Sequence, residues 1–148
     1  MIRSIFIASL LLATTAFGQQ EAQPTLPITS LTVKDKSIAA EVADDNKERM
    51  TGLMFRKKLE PDSGMLFVMP RVEHASFWMR NTLIPLSVAY ISPEGEILEI
   101  HDMKPLDESP IPSHFNNIAY ALEMDQGWFS KNGILPSDRL VGLPRGPK

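Results

Sequence analysis

The sequence of 148 residues contains no cysteine. That absence removes disulfides, thiolate metal sites and cysteine nucleophiles in one step. An oxidising compartment permits disulfides without requiring them, and a chain of roughly 130 residues buries enough surface to stand without them. Basic side chains are outnumbered, 15 Lys and Arg against 18 Asp and Glu, for a net charge of −3. Nucleic-acid phosphates demand clustered Lys and Arg, and no basic stripe occurs, so no nucleic-acid partner is expected. The sequence also lacks the paired-histidine motif of metalloproteases, a calcium loop and the glycine-flanked serine elbow of a hydrolase.

Long apolar runs are missing as well. The run from Ile5 to Ala13 is well short of the roughly 20 residues that a membrane-crossing helix needs. It follows Arg3 and precedes small residues ending in Ala16-Phe17-Gly18, which is the order of a secretory signal peptide. Residues 1–18 therefore read as a signal cleaved after Gly18, and an exported chain, periplasmic or extracellular, is expected. No stable membrane insertion should follow cleavage. Loss of Arg3, the one charge in that leader, takes the net charge from −3 to about −4 for what reads as one domain with one core.

Residues 19–30 combine polar residues with Pro24 and Pro27 and read as an extended lead-in. Leu31 to Val33 and Ile38 to Val42, separated by Lys34-Asp35-Lys36, predict a hairpin. Asp44 or Asp45 caps a helix of about ten residues whose apolar stripe is Met50, Leu53 and Met54. From Gly64 onward the period changes. Met65 to Met69, Ala75 to Met79, Leu86 to Ile91, Ile97 to Ile100 and Ile118 to Met124 are short apolar runs between proline, glycine and acidic punctuation, as strands of an antiparallel sandwich or barrel are. Pro93-Glu94-Gly95-Glu96 supplies a tight turn. Asp107 to Ser113 reads as loop, Gln126 to Asn132 as a short helix closed by Gly133, Arg139 to Leu143 as a last strand, and residues 144–148 as a tail.

Three ordered strings carry a family resemblance: Arg49-Met50-Thr51-Gly52-Leu53-Met54-Phe55-Arg56, then Gly64-Met65-Leu66-Phe67, then Phe77-Trp78-Met79-Arg80-Asn81-Thr82 with Ile84-Pro85-Leu86. The chain resembles the domain of unknown function 192 family over residues 31–143. The resemblance implies one mainly β domain, a sandwich or barrel of jelly-roll type with one or two short helices, and frequent export; it implies no established reaction and no cofactor. Similar members often carry an acidic residue where this chain has Ser87. They also often carry glycine before the aspartate near the C-terminus, where here Ser137 precedes Asp138.

Among residues able to carry chemistry, Trp78, Arg80 and Asn81 come first. In an extended strand Phe77 and Met79 would face the core and Trp78 and Arg80 the other side, placing a guanidinium beside an indole, ready to stack or to bind an anion. The competing reading pairs Arg80 internally with Glu123 or another carboxylate. Arg49 and Arg56, seven residues apart, share a helix face and offer an anion cleft, unless Glu123 or Asp138 holds them. Glu123 is the acid embedded in an apolar strand, so it is the best candidate for a perturbed pKa and for an acid or base. His101 and Met103 are the weak metal candidates, as imidazole and thioether ligands of copper. Met50, Met54, Met65 and Met69 read instead as core, and His74 and His114 as exposed.

The leading functional expectation is an exported non-catalytic binding or accessory module for a small polar or anionic ligand. A cell-envelope or glycan-directed hydrolase or transferase using Glu123 is the second, and a copper-binding module the third.

Overall fold

The computed structural model describes residues 20–147, so the expected signal peptide lies outside the described residues. The fold is mainly β. Among the described residues nine strands and two short helices follow in the order β1 (Ile28–Val33), β2 (Lys36–Ala43), α1 (Asn46–Thr51), β3 (Ser63–Glu73), β4 (Ser76–Phe77), β5 (Leu86–Ile91), β6 (Ile97–Met103), β7 (Ile111–Pro112), β8 (Ile118–Asp125), α2 (Trp128–Lys131) and β9 (Leu140–Val141). Seven strands form one sheet in the order β6-β5-β8-β3-β2-β1-β9, and β4 pairs with β7 as a small second sheet. Among the described residues no helix is long and apolar enough to cross a membrane.

Strand β1 begins inside the expected lead-in, because Ile28 to Ser30 already pair with Glu41 to Ala39 of the hairpin. Strands β2 and β3 pair in parallel, which a tight hairpin cannot connect. The chain crosses between them over α1. That helix stops at Thr51, well before the expected ten residues. Its start is well defined: Asp45 caps the backbone of Glu48, and the Glu48 side chain returns to the Asp45 N–H, a reciprocal box. Its end is set by Gly52, at φ +48. Met50 consequently leaves the expected buried stripe and is 76% exposed.

The curled sheet closes on itself at one end as a half-barrel. The N–H groups of Ile97, Ser137 and Leu140 donate to the carbonyls of Asp138, Ile97 and Gly95, each at 2.8 Å, so the two edge strands meet. Inside lies a core that includes Leu31, Ile38, Leu66, Ile91, Leu122 and Phe129. On the outer face a second core includes Met65, Phe67, Leu86, Val88, Tyr90 and Ala121, covered by Leu53, Met79 and Ile84. Alternation assigns the faces: in β8, Leu122 and Met124 point inward while Ala121 lies outside. Strand β5 is buried along its whole length because both faces are covered.

Candidate functional site

The register places Glu123 in the middle of the outer face, between Met65 of β3 and Val88 of β5. Its residue is 4% exposed. Burial alone acts on the carboxyl and pushes its pKa up to about 8, with no hydrogen bond or neighbouring charge to offset it. Every fully buried side-chain nitrogen or oxygen among the described residues has a partner, so the unbonded Glu123 oxygens keep contact with the small cavity that the residue lines.

That cavity, of about 40 Å³, is walled by Arg49 to Met54, Phe67, Phe77, Trp78, Thr82 and Glu123. Two of the sequence strings build it by docking on each other. The N–H of Phe55 donates to the carbonyl of Asn81 at 2.9 Å, and both residues take left-handed backbone conformations, at φ +62 and +53. Gly52 lets the chain pass over the Phe67 ring, since a Cβ there would stand 3.3 Å from that ring. The third string contributes Gly64, whose Cβ would fall 2.2 Å from the Glu123 carbonyl oxygen; glycine is what allows β3 to pass so close behind the carboxylate strand.

The Phe77–Leu86 segment departs from the expected strand. Only Ser76 and Phe77 pair, with Pro112 and Ile111, so part of the expected Asp107–Ser113 loop is strand β7. A turn then closes with Thr82 N–H donating to the Met79 carbonyl at 3.1 Å. Met79 is fully buried nonetheless, and half-buried Phe77 packs against the same core, edge-on to Phe67 at 4.9 Å and to Tyr90 at 5.8 Å. Trp78 lines the cavity yet stays 45% exposed. The Arg80 guanidinium lies 5.4 Å from the Trp78 ring centre and 3.7 Å from Glu108, with over half its side chain exposed. Arg80 is therefore not buried against Glu123. The Asn81 amide reaches only the Met54 sulfur, at 4.0 Å.

The two other candidate arginines make internal contacts, and Arg49 also walls the cavity. Arg49 donates to the Asp44 and Val68 carbonyls at 2.6 and 2.9 Å and to the Asn46 side chain at 2.6 Å. Arg56 forms a two-pronged pair with Glu41. Neither is held by Glu123 or Asp138, and Asp138 itself pairs with Lys34 at 2.9 Å. With the helix ending at Thr51, Arg49 and Arg56 do not share a helix face. Ser87 donates to Asp102 at 2.5 Å and accepts from the Gly127 N–H at 3.0 Å.

His101 also lies on the outer face, opposite Val88. It meets Glu99 and His114 there, whereas Met103 is fully buried in the outer core. Sequence reasoning missed Thr82, Phe67 and Glu99. Glu99 was within reach, being two residues from His101 and hence on the same strand face; His114 arrives from a proline-flanked loop that carries no periodicity.

A mainly β domain with a buried acid beneath an aromatic flap is the class that fold and site define. The chain belongs to the domain of unknown function 192 family, described as an uncharacterized ACR, whose pattern matches residues 29–142. It is similar, at 32% identity over 81% of this chain and 97% of the other, to a crystal structure described as a "putative transcription regulator" from Sinorhizobium meliloti 1021, with a TM-score of 0.78. A protein of unknown function from Novosphingobium aromaticivorans DSM 12444 is similar at 32% identity over 78% of this chain and 86% of the other, with a TM-score of 0.73. No curated protein matches the chain.

Proposed function

We propose that this protein is an exported, non-catalytic binding or accessory module whose site is the Glu123 cavity beneath Trp78. The observation that carries the reading is the Glu123 carboxyl itself, buried, raised to about 8 and without a hydrogen-bond partner among the described residues. Burial among apolar neighbours disfavours the charged form of such a group, a cost that a purely structural strand position would avoid with leucine. At neutral pH the carboxyl is mostly protonated, so it offers one O–H donor and an acceptor oxygen. A volume of about 40 Å³ admits a group the size of one water. Only the tip of a ligand, a hydroxyl or carbonyl oxygen, enters. The remainder lies on the exposed indole of Trp78, with the Arg80 guanidinium beside it for an anionic substituent. Export is supported by the order of Arg3, the apolar run and Ala16 with Gly18.

The second reading uses the same carboxyl as a general acid, for which a pKa near the working pH is suited. Among the cavity-lining residues no other carboxylate stands beside it, so the two-carboxylate route of glycoside hydrolysis has no second member there.

Short carboxylates, amino acids and N-acetylated sugars should be titrated while Trp78 emission is followed, with Trp78→Phe isolating the buried Trp128. A saturable change is expected for one class, weakened about tenfold or more by Glu123→Leu, the scale of one lost hydrogen bond, and weakening again above pH 8. Equal binding by wild type and Glu123→Leu would remove the cavity from the site. Turnover of a bound probe, abolished by Glu123→Gln, would favour the enzymatic reading.

A further inference from the structure

A second cluster lies on the same sheet face, separated from the cavity-wall residue Phe77 by the Tyr90 ring. Glu99 and His101 project side by side from β6, and His114 folds back over them from the chain just after β7. Glu99 Oε2 contacts His101 Nε2 at 3.0 Å and His114 Nδ1 at 2.7 Å, while Glu99 Oε1 accepts from the His114 backbone N–H at 2.8 Å. The two rings stack, with centroids 5.9 Å apart and planes inclined by 27°, and His101 rests against the Tyr90 ring at 5.7 Å. One donor atom from each of the three side chains lies within 4.8 Å of the others.

We propose that Glu99, His101 and His114 bind one borderline divalent transition-metal ion, of the Zn²⁺ or Cu²⁺ class. Two imidazoles and a carboxylate are the ligand set that suits those ions, whereas a histidine with a thioether would have selected Cu(I). Metal–ligand distances of about 2.0–2.2 Å place neighbouring donors roughly 3.3 Å apart in a tetrahedral site. The two Glu99 contacts, at 3.0 and 2.7 Å, would open by roughly 0.3–0.6 Å to reach that spacing, and the side chain of His114, 80% exposed, is free to adjust. Each ring N–H that now points at Glu99 would give up its proton to the other ring nitrogen or to solvent as the metal takes its place. The second Glu99 oxygen is fixed by the His114 backbone, the outer-shell support that orients metal-binding carboxylates. Three protein ligands leave a fourth position open to solvent, as in sites that hold water or an exogenous ligand on the metal. The rival account makes the trio a clasp that only fastens the chain around His114 to β6.

The test uses the chain without a histidine tag, freed of metal by a chelator and titrated with Zn²⁺ against a chromogenic indicator, then with Cu²⁺. One equivalent should bind, more tightly for Cu²⁺ than for Zn²⁺, and His114→Ala and His101→Ala should each weaken binding about 100-fold. Side-chain nitrogen NMR shifts of His101 and His114 should move on adding Zn²⁺, and those of His74, the remaining histidine, should not. His114 is exposed, so its alanine variant tests the site without threatening the fold. Absence of stoichiometric binding, binding unchanged in His114→Ala, or a response confined to His74 would each overturn the proposal and leave the clasp. The Glu123 cavity is built by other residues, so these outcomes do not bear on it.

Discussion

Arg56 and Glu41 face each other as a two-pronged ion pair, Nη1 to Oε1 at 2.8 Å and Nη2 to Oε2 at 2.9 Å. Both side chains are largely buried, at 17% and 11% exposure. The same Glu41 carboxylate accepts from the Leu26 N–H at 2.9 Å, so the pair joins β2, the crossover after α1 and the chain leading into β1. Removing one partner of a buried pair strands the other, which typically costs about 3–5 kcal/mol. Arg56→Ala and Glu41→Ala should therefore each lower denaturant stability by about 3 kcal/mol, and the double variant should cost far less than both together. Additive losses would mean that the two groups are not coupled.

Glu123 makes stability fall with pH. Its folded pKa, about 8, lies above the usual unfolded value of about 4.3. The native state thus holds a proton that the unfolded chain has released. This contribution is fully present below about pH 4.3 and is lost as pH rises through about 8, on the order of several kcal/mol in all. Urea unfolding of wild type and Glu123→Gln from pH 5 to 9 isolates it, because other titrations cancel in the difference. The glutamine variant should gain on wild type from pH 5 to about 8 and level off above that. A pH-independent difference would place the carboxylate in a wetter or better-paired setting.

Strand positions were legible where an apolar period survived on one or both faces. The β1–β2 hairpin, β3, β5, β8 and the Gly95 turn all follow from short apolar runs and their punctuation. Long-range relationships left no such trace. Nothing local distinguishes the parallel pairing of β2 with β3, or the closure of Ser137 to Leu140 on Gly95 to Ile97, from ordinary loop sequence. The Phe77–Thr82 passage misled because Trp78 and Met79 carry strand propensity, while the left-handed Asn81 and the Met79–Thr82 turn impose another path. At the site, burial of Glu123 could be read from its apolar neighbours. Its isolation could not, since nothing in the sequence keeps the nearby arginines from reaching it.

Phe77 separates packing from strand pairing. Although β4 is only two residues long, the ring meets Phe67 and Tyr90 edge-on, a geometry worth about 0.5–1.5 kcal/mol beyond area. Phe77→Ala should cost about 3 kcal/mol and, because Phe77 walls the cavity, should also change Trp78 emission. A loss under about 1 kcal/mol would show that the outer core closes without this ring.

Ser137 occupies a position that wants glycine. Its φ is +78, in the left-handed region, and its N–H is committed to the Ile97 carbonyl at 2.8 Å, so it cannot relax without opening the barrel closure. The family resemblance, in which similar members often carry glycine at this position, agrees with that backbone. An L side chain in this region costs roughly 1–2 kcal/mol, while introducing glycine loosens the unfolded chain by about 0.4–1 kcal/mol. The first effect is the larger. Ser137→Gly should therefore stabilise the protein by about 0.5–1 kcal/mol, a rise in Tm of about 2–4 °C for a domain of this size. Ser137→Val, which adds a branched Cβ at the same backbone angle, should move Tm the other way. Thermal melts of the two variants beside wild type decide the matter, and a Tm for Ser137→Gly at or below that of wild type would mean that the serine is not strained.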